Sequence, residues 1–277
     1  MSRDLFVPML RAGNDEAALA AAVALAAPER GHVAALITVQ QPMPIATEVA
    51  YVPVEVLRRL VDEARAAAQS LAKATRDRLA NEDVVSDVRI TENLYLWSDQ
   101  LTTLHARHAD LTVIGADKDL GAPFANTFNA LLMQSGRPVL VVPRESVLTM
   151  PIHHVAVAWQ PTREATRALH DVLPWLQPGA RIDLVMVDPV VSERGHGQQP
   201  GADIATHLSR HGFKVNLVDV PREGRSTGLC LLDYVRLSGA DMLVMGGYSH
   251  ARWREAVLGG TTRTVLQEML WPVFFSH

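Results

Sequence analysis

The sequence predicts an α/β fold of two tandem, doubly wound parallel sheets with five strands each. Three observations predict it. Apolar runs of strand length alternate with stretches of helical periodicity along the whole chain, the pattern of parallel strands joined by helical crossovers. The pieces then recur in the same order. Ala109-Asp-Leu-Thr-Val-Ile-Gly-Ala116 returns as Ala240-Asp-Met-Leu-Val-Met-Gly-Gly247, and Arg137-Pro-Val-Leu-Val-Val142 as Trp271-Pro-Val-Phe-Phe-Ser276. Gly31 to Val39 matches Gly179 to Val187, and Leu5 to Pro8 matches Val155 to Ala158. Finally, the period is far too long for a solenoid, and 277 residues suffice for two ordinary domains. The expected domains are 1–146 and 152–277, with one sheet per copy and a join near Glu145 to Pro151.

Copy one opens with a strand from Leu5 to Met9. Asn14 or Asp15 can cap the Ala-rich helix that runs to about Ala27. Gly31 marks the turn into a strand from Val33 to Val39. Gln40 to Pro53 holds three prolines and reads as a loop. Leu57, Leu60, Val61, Ala64, Ala68 and Leu71 then recur at helical spacing. Val84 to Ile90 alternates weakly, as a third strand would. Ser98 can cap a helix carrying Leu101 and Leu104. Leu111 to Ile114 and Val139 to Val142 are strands four and five, and Gly136 with Pro138 ends the helix between them.

Copy two follows suit. Its first strand is Val155 to Trp159, with Thr162 as the helix cap. The second strand is Ile182 to Val187. Val190 to Gly201, rich in Gly and Gln, reads as a loop. A short helix from Ala202 to His211 precedes the third strand, Val215 to Val220. Pro221 to Gly228 breaks structure before a helix from about Leu229 to Leu237. Met242 to Met245 is a continuous apolar run, as expected of a central strand covered on both faces. The fifth strand runs to the C-terminus.

Composition bounds the function. A formal charge of −4 and a pI near 6.3 make no electrostatic case for nucleic acid. No run is apolar enough to span a bilayer. Met1 to Met9 goes almost directly into a strand and does not read as a signal peptide. Cys230 is the only cysteine, which excludes an intramolecular disulfide and points to a reducing, cytoplasmic setting.

The stretch from Ala240 to Leu270 carries the functional signal. A buried strand ends at Gly246-Gly247, where glycine permits positive φ and lets a ligand approach the backbone. Gly259-Gly260-Thr261-Thr262 follows, then a helical face of Val265, Leu266, Met269 and Leu270. Thr261 or Thr262 is the expected cap, leaving N–H groups free at the positive helix end, a setting suited to phosphate. Arg252, Arg254 and Arg263 add positive charge around the loop.

The spacing Gly246, two residues, Ser249, nine residues, Gly259-Gly260 resembles the nucleotide loop of the universal stress protein family. That family's pattern is Gly, two residues, Gly, nine residues, then Gly-Ser or Gly-Thr. Ser249 stands where ATP-binding members have glycine, and Gly260 where they have the hydroxyl residue. The resemblance implies Rossmann-like domains of strand order 3-2-1-4-5 and a ligand at the switch between strands one and four. It also implies that the two fifth strands pair antiparallel, here within one chain, mimicking a dimer of single-domain relatives. A homodimer of whole chains is left open. The implied activity is that of a cytoplasmic stress-response protein working by binding, with ATP or another adenine nucleotide in copy two.

The resemblance also assigns the contacts. The base would lie near Gln160 and the backbone of Val187. The phosphates would lie over Gly246, Gly247 and Ser249 and against the N–H groups of Gly259, Gly260, Thr261 and Thr262. In copy one the residue matching Gln160 is Leu10, which cannot hydrogen-bond a base, and Asp117 and Asp119 would repel a polyphosphate. Copy one therefore reads as a scaffold that keeps the fold without the site. For copy two, nucleotide binding stands beside the reading that its glycines serve only the turn and tight packing. A nucleotide-free scaffold for partner proteins is the alternative function, and a slow ATP hydrolase a third.

His207 and His211 are four apart on an expected helix, a spacing that can bind zinc, and His105 and His108 are three apart. Neither pair has a third ligand nearby in sequence, so both read as solvated or partly packed. The same holds for His250 within the glycine loop. Cys230, in Leu229-Cys-Leu-Leu, reads as a buried inert thiol. No Ser-His-Asp set, P-loop or acid–base pair is present in the sequence.

Overall fold

The computed structural model describes residues 3–9, 15–40, 53–93, 98–116, 121–190, 199–247 and 259–277. The first half holds β1 (Asp4–Met9), α1 (Asp15–Ala26), β2 (His32–Gln40), α2 (Val54–Leu79), β3 (Val85–Asn93), α3 (Ser98–Ala106), β4 (Leu111–Ala116), α4 (Ala122–Gln134) and β5 (Val139–Pro143). The second holds β6 (Ile152–Ala158), α5 (Arg163–Val172), β7 (Leu176–Val187), α6 (Ala202–Arg210), β8 (Lys214–Val220), α7 (Thr227–Ser238), β9 (Met242–Gly246), α8 (Gly260–Glu268) and β10 (Val273–Ser276).

The strands lie in the order β3-β2-β1-β4-β5-β10-β9-β6-β7-β8. Each half thus has the expected order 3-2-1-4-5 and is parallel throughout. At the centre β5 and β10 run antiparallel, with Val141 opposite Val273 and Val139 opposite Phe275. That is the antiparallel pairing expected of the two fifth strands, and it joins the five-stranded sheets of the two copies edge to edge. Each fifth strand is a fully buried apolar edge, and an uncovered edge of that kind would template aggregation. Pairing the two edges through the main chain removes both and merges ten strands into one sheet.

The helices cover that sheet on two faces. On one side α1 and α5 pack over a core containing Leu5, Val113, Leu140, Val157, Leu184 and Phe274. On the other, α4, α7 and α8 enclose Phe128, Leu131, Val139, Leu243, Val265 and Phe275. Both cores run across the two halves. Phe128 of α4 meets Phe275 of β10 edge-on at a centroid distance of 5.1 Å, a geometry worth about 1 kcal/mol beyond the area it buries.

Local signals explain most boundaries. Thr162 caps α5 by accepting from the Ala165 N–H, and Ser226 caps α7 by accepting from Leu229. Ser135 ends α4, and Gly136 follows with φ +70°, the left-handed conformation glycine adopts without a Cβ clash. The long helix α2 is polar overall and buries only Ala68, Ala72, Thr75 and Leu79. Leu60, expected on its packed face, is 39% exposed and precedes the first buried residue of α2, Ala68. Leu10, Asn14, Asp117 and Asp119 lie outside the described residues, as do the loop segments 41–52 and 191–198.

A candidate anion site at the carboxyl ends of the second half

Strand order in the second half reverses between β6 and β9, which are neighbours while their onward connections diverge to β7 and β10. The carboxyl ends of these strands define the crevice where ligands of doubly wound sheets bind. Gln160 lies just past β6 and is exposed, Val187 ends β7 half-buried, and Gly246 ends β9. Gly259 to Thr262 open α8. Ser249 and His250 lie outside the described residues, as do Arg252 and Arg254.

The two glycine pairs differ in what surrounds them. Neither Gly246 nor Gly247 has positive φ. A Cβ on Gly246 would lie 2.6 Å from the carbonyl carbon of Glu164 and 2.7 Å from the nitrogen of Ala165. Gly246 therefore lets the first turn of α5 press against the end of β9. A Cβ on Gly247 would lie 2.5 Å from a methyl of Leu132 in α4, so Gly247 accommodates the other half of the chain. Its carbonyl also accepts from His277 Nδ1 at 3.0 Å. Around Gly259 and Gly260, by contrast, no atom of the described residues would lie within 4 Å of an added Cβ.

The expected threonine cap of α8 is corrected. Gly259 is the N-cap, without a side-chain hydrogen bond, and the helix begins at Gly260. Thr261 and Thr262 sit inside the first turn, where Thr262 is buried. Gly228 explains the placement. A Cβ there would lie 2.9 Å from Thr264 and 3.1 Å from the Thr261 carbonyl, so α7 and α8 approach closely at that residue and fix the α8 register. The amides of Gly260, Thr261 and Thr262 find no acceptor among the described residues, leaving a helix end with partial positive charge in open space.

The first half lacks this arrangement at the matching place. Its α4 starts after Gly121 with Pro123 in the first turn, and proline has no N–H to offer.

Among the described residues of the second half, the most heavily bonded carboxylate is Asp183, mid-strand in β7. It is fully buried. Oδ1 accepts from Arg181 Nε at 2.8 Å and Asn216 Nδ2 at 2.7 Å. Oδ2 accepts from Arg181 Nη2 at 2.9 Å, and from His154 Nε2 and Tyr234 Oη at 2.7 Å each. Burial alone would raise its pKa. The bonds from Arg181, Tyr234, His154 and Asn216 overcome that and hold it at about 2. Burial, then the bond to Asp183, pushes the Tyr234 hydroxyl up to about 12. The visible signal was a lone charge inside the apolar run Ile182 to Val187. The network is closed on itself and lies mid-strand, so it braces β6, β7, β8 and α7 together.

His105 stacks on Phe6 at 6.0 Å, and burial followed by nearby Arg89 lowers its pKa. Cys230 is buried. Among the described residues no helix is long and apolar enough to cross a membrane.

Neither a family pattern nor a curated protein matches this sequence. Solved structures do match its shape. A universal stress protein from Archaeoglobus fulgidus DSM 4304 superposes with a TM-score of 0.71 at 14% identity, over 100% of this chain and 96% of that one. The chain has the universal stress protein fold, in tandem. A functionally unknown protein from Pseudomonas aeruginosa PAO1 superposes with a TM-score of 0.57, also at 14% identity, over 99% of this chain and 92% of that one. Both likenesses run through the two halves, so the tandem universal stress protein fold accounts for the whole chain.

Proposed function

We propose that this chain is a cytoplasmic stress-response protein that acts as an adenine-nucleotide-responsive binding module. Its two domains, 1–146 and 152–277, divide the work, with the nucleotide held by the second and the first serving as scaffold. The observation that carries the reading is the first turn of α8. Three amides there have no acceptor among the described residues, and two glycines leave the approach open. That is the setting in which a helix end holds phosphate. The base would rest near Gln160 and Val187, at the ends of β6 and β7. Pro123 in the first turn of α4 disfavours a second site.

A nucleotide-free scaffold is the second reading, favoured by Gly246 and Gly247, whose tight neighbours are protein atoms. A slow ATP hydrolase is a third reading. Thermal unfolding with millimolar ATP, ADP, AMP or cyclic AMP separates the first two. A ligand at about a hundred times its Kd adds about 2.7 kcal/mol of stability, so a binder raises the midpoint by several degrees. An unchanged midpoint with all four nucleotides would favour the scaffold.

A further inference from the structure

The fold gathers three histidines that the sequence keeps apart. His170 lies in the last turn of α5, His207 in the last turn of α6, and His211 is the C-cap of α6. The His207 ring centroid is 5.4 Å from that of His170 and 4.6 Å from that of His211. All three reach the surface between the two helices.

The proton positions can be read from the partners. His170 Nδ1 is 2.8 Å from the backbone carbonyl oxygen of Thr166. That oxygen can only accept, so Nδ1 carries the proton and a neutral His170 presents a bare lone pair on Nε2. Nε2 faces His207 Nε2 across 3.4 Å, which is long for a hydrogen bond between ring nitrogens. It is the separation of two imidazole nitrogens on one tetrahedral ion, about 3.3–3.4 Å for metal–nitrogen bonds of about 2.0–2.1 Å. The Thr166 carbonyl fixes the tautomer and ring orientation, as the outer shell of a histidine-bound metal does.

We propose that His170, His207 and His211 form a binding site for a late first-row divalent cation of the zinc class. As the side chains lie, no set of three or more His, Cys, Asp or Glu among the described residues is arranged to hold an ion. His170 and His207 would supply the first two ligands, their Nε2 atoms 3.4 Å apart. His211, one helical turn from His207, is the third, brought in by rotation about its own side-chain bonds. Water completes a tetrahedron. The i, i+4 pair on one helix face is a proven zinc-binding spacing, and an all-imidazole set suits zinc, copper and nickel over magnesium or calcium. The bound ion would tie α5 to α6.

The test uses the untagged full-length chain, stripped with chelator and titrated calorimetrically with zinc chloride. The expected result is one ion per chain, with affinity reduced about 10-fold or more in each of His170→Ala, His207→Ala and His211→Ala. His105→Ala, in the first half, should bind as the wild type does. No binding at submillimolar zinc, or wild-type affinity in the three variants, would overturn the proposal. A second readout guards against a misfolded variant. Zinc should raise the thermal midpoint of the wild type but not of His207→Gln, and an equal rise in both would also overturn the site.

Discussion

Asp183→Asn should destabilise the protein in a pH-dependent way. The folded carboxyl titrates at about 2 against an ordinary value of 3.8. At about 1.4 kcal/mol per pH unit, its charged form is favoured in the fold by about 2.5 kcal/mol. The sign follows from the lowered pKa. The contribution is fully present above the ordinary carboxylate value and is lost as pH falls through that value toward about 2. The amide that replaces the carboxylate would also aim an N–H group at donors, either Arg181 and Asn216 or His154 and Tyr234. The loss near neutral pH should therefore reach about 3–5 kcal/mol, as for a broken buried charge pair. Urea unfolding of both proteins near neutral pH and at about pH 3 measures it. The stability gap should be large at neutral pH and clearly smaller in acid. Equal stabilities at neutral pH, or a gap that does not shrink in acid, would refute the reasoning.

Three further outcomes follow from packing. Gly246→Ala should cost about 1–3 kcal/mol in thermal or urea unfolding, because its Cβ meets backbone atoms of Glu164 and Ala165 that cannot swing aside. Phe128→Ala should cost about 3–5 kcal/mol and lower one shared unfolding transition, since Phe128 packs on Phe275 across the halves; separate melting of the halves would contradict the continuous core. Cys230, on the buried face of α7, should resist a thiol reagent in native buffer and react fully in denaturant.

Strands were the most legible part of the fold because their burial is local. Met242 to Met245 and Val139 to Val142 are apolar at every position, which only a strand covered on both faces tolerates. Helical spacing was less sufficient. Leu60 keeps the period of α2, yet the residues of that helix that are buried begin only at Ala68. The candidate site was legible as a glycine–helix pattern but not in its division of labour. Gly246 and Gly259 look alike in sequence. What separates them is the position of α5, set by the Thr162 cap far upstream. The start of α8 at Gly259 and the tight α7–α8 contact at Gly228 both depend on residues far apart in sequence, which local threonine spacing does not show. His170 and His207 lie 37 positions apart, with no local pattern to join them. Asp183 was visible as a charge in an apolar strand, but its partners beyond Arg181 come from β6, β8 and α7.

The central claim is that the α8 end, and not its first-half counterpart, receives a nucleotide. Calorimetric titration of the wild type, Gly259→Leu and Ala122→Leu with ATP, ADP, AMP and cyclic AMP at millimolar concentrations tests it most directly. Among the described residues nothing crowds Gly259, and its φ is −55°, so a leucine there should fold with little change in stability. The account predicts heat with at least one nucleotide in the wild type and in Ala122→Leu, and none in Gly259→Leu. Absence of heat in all three proteins, or undiminished heat in Gly259→Leu, would contradict it.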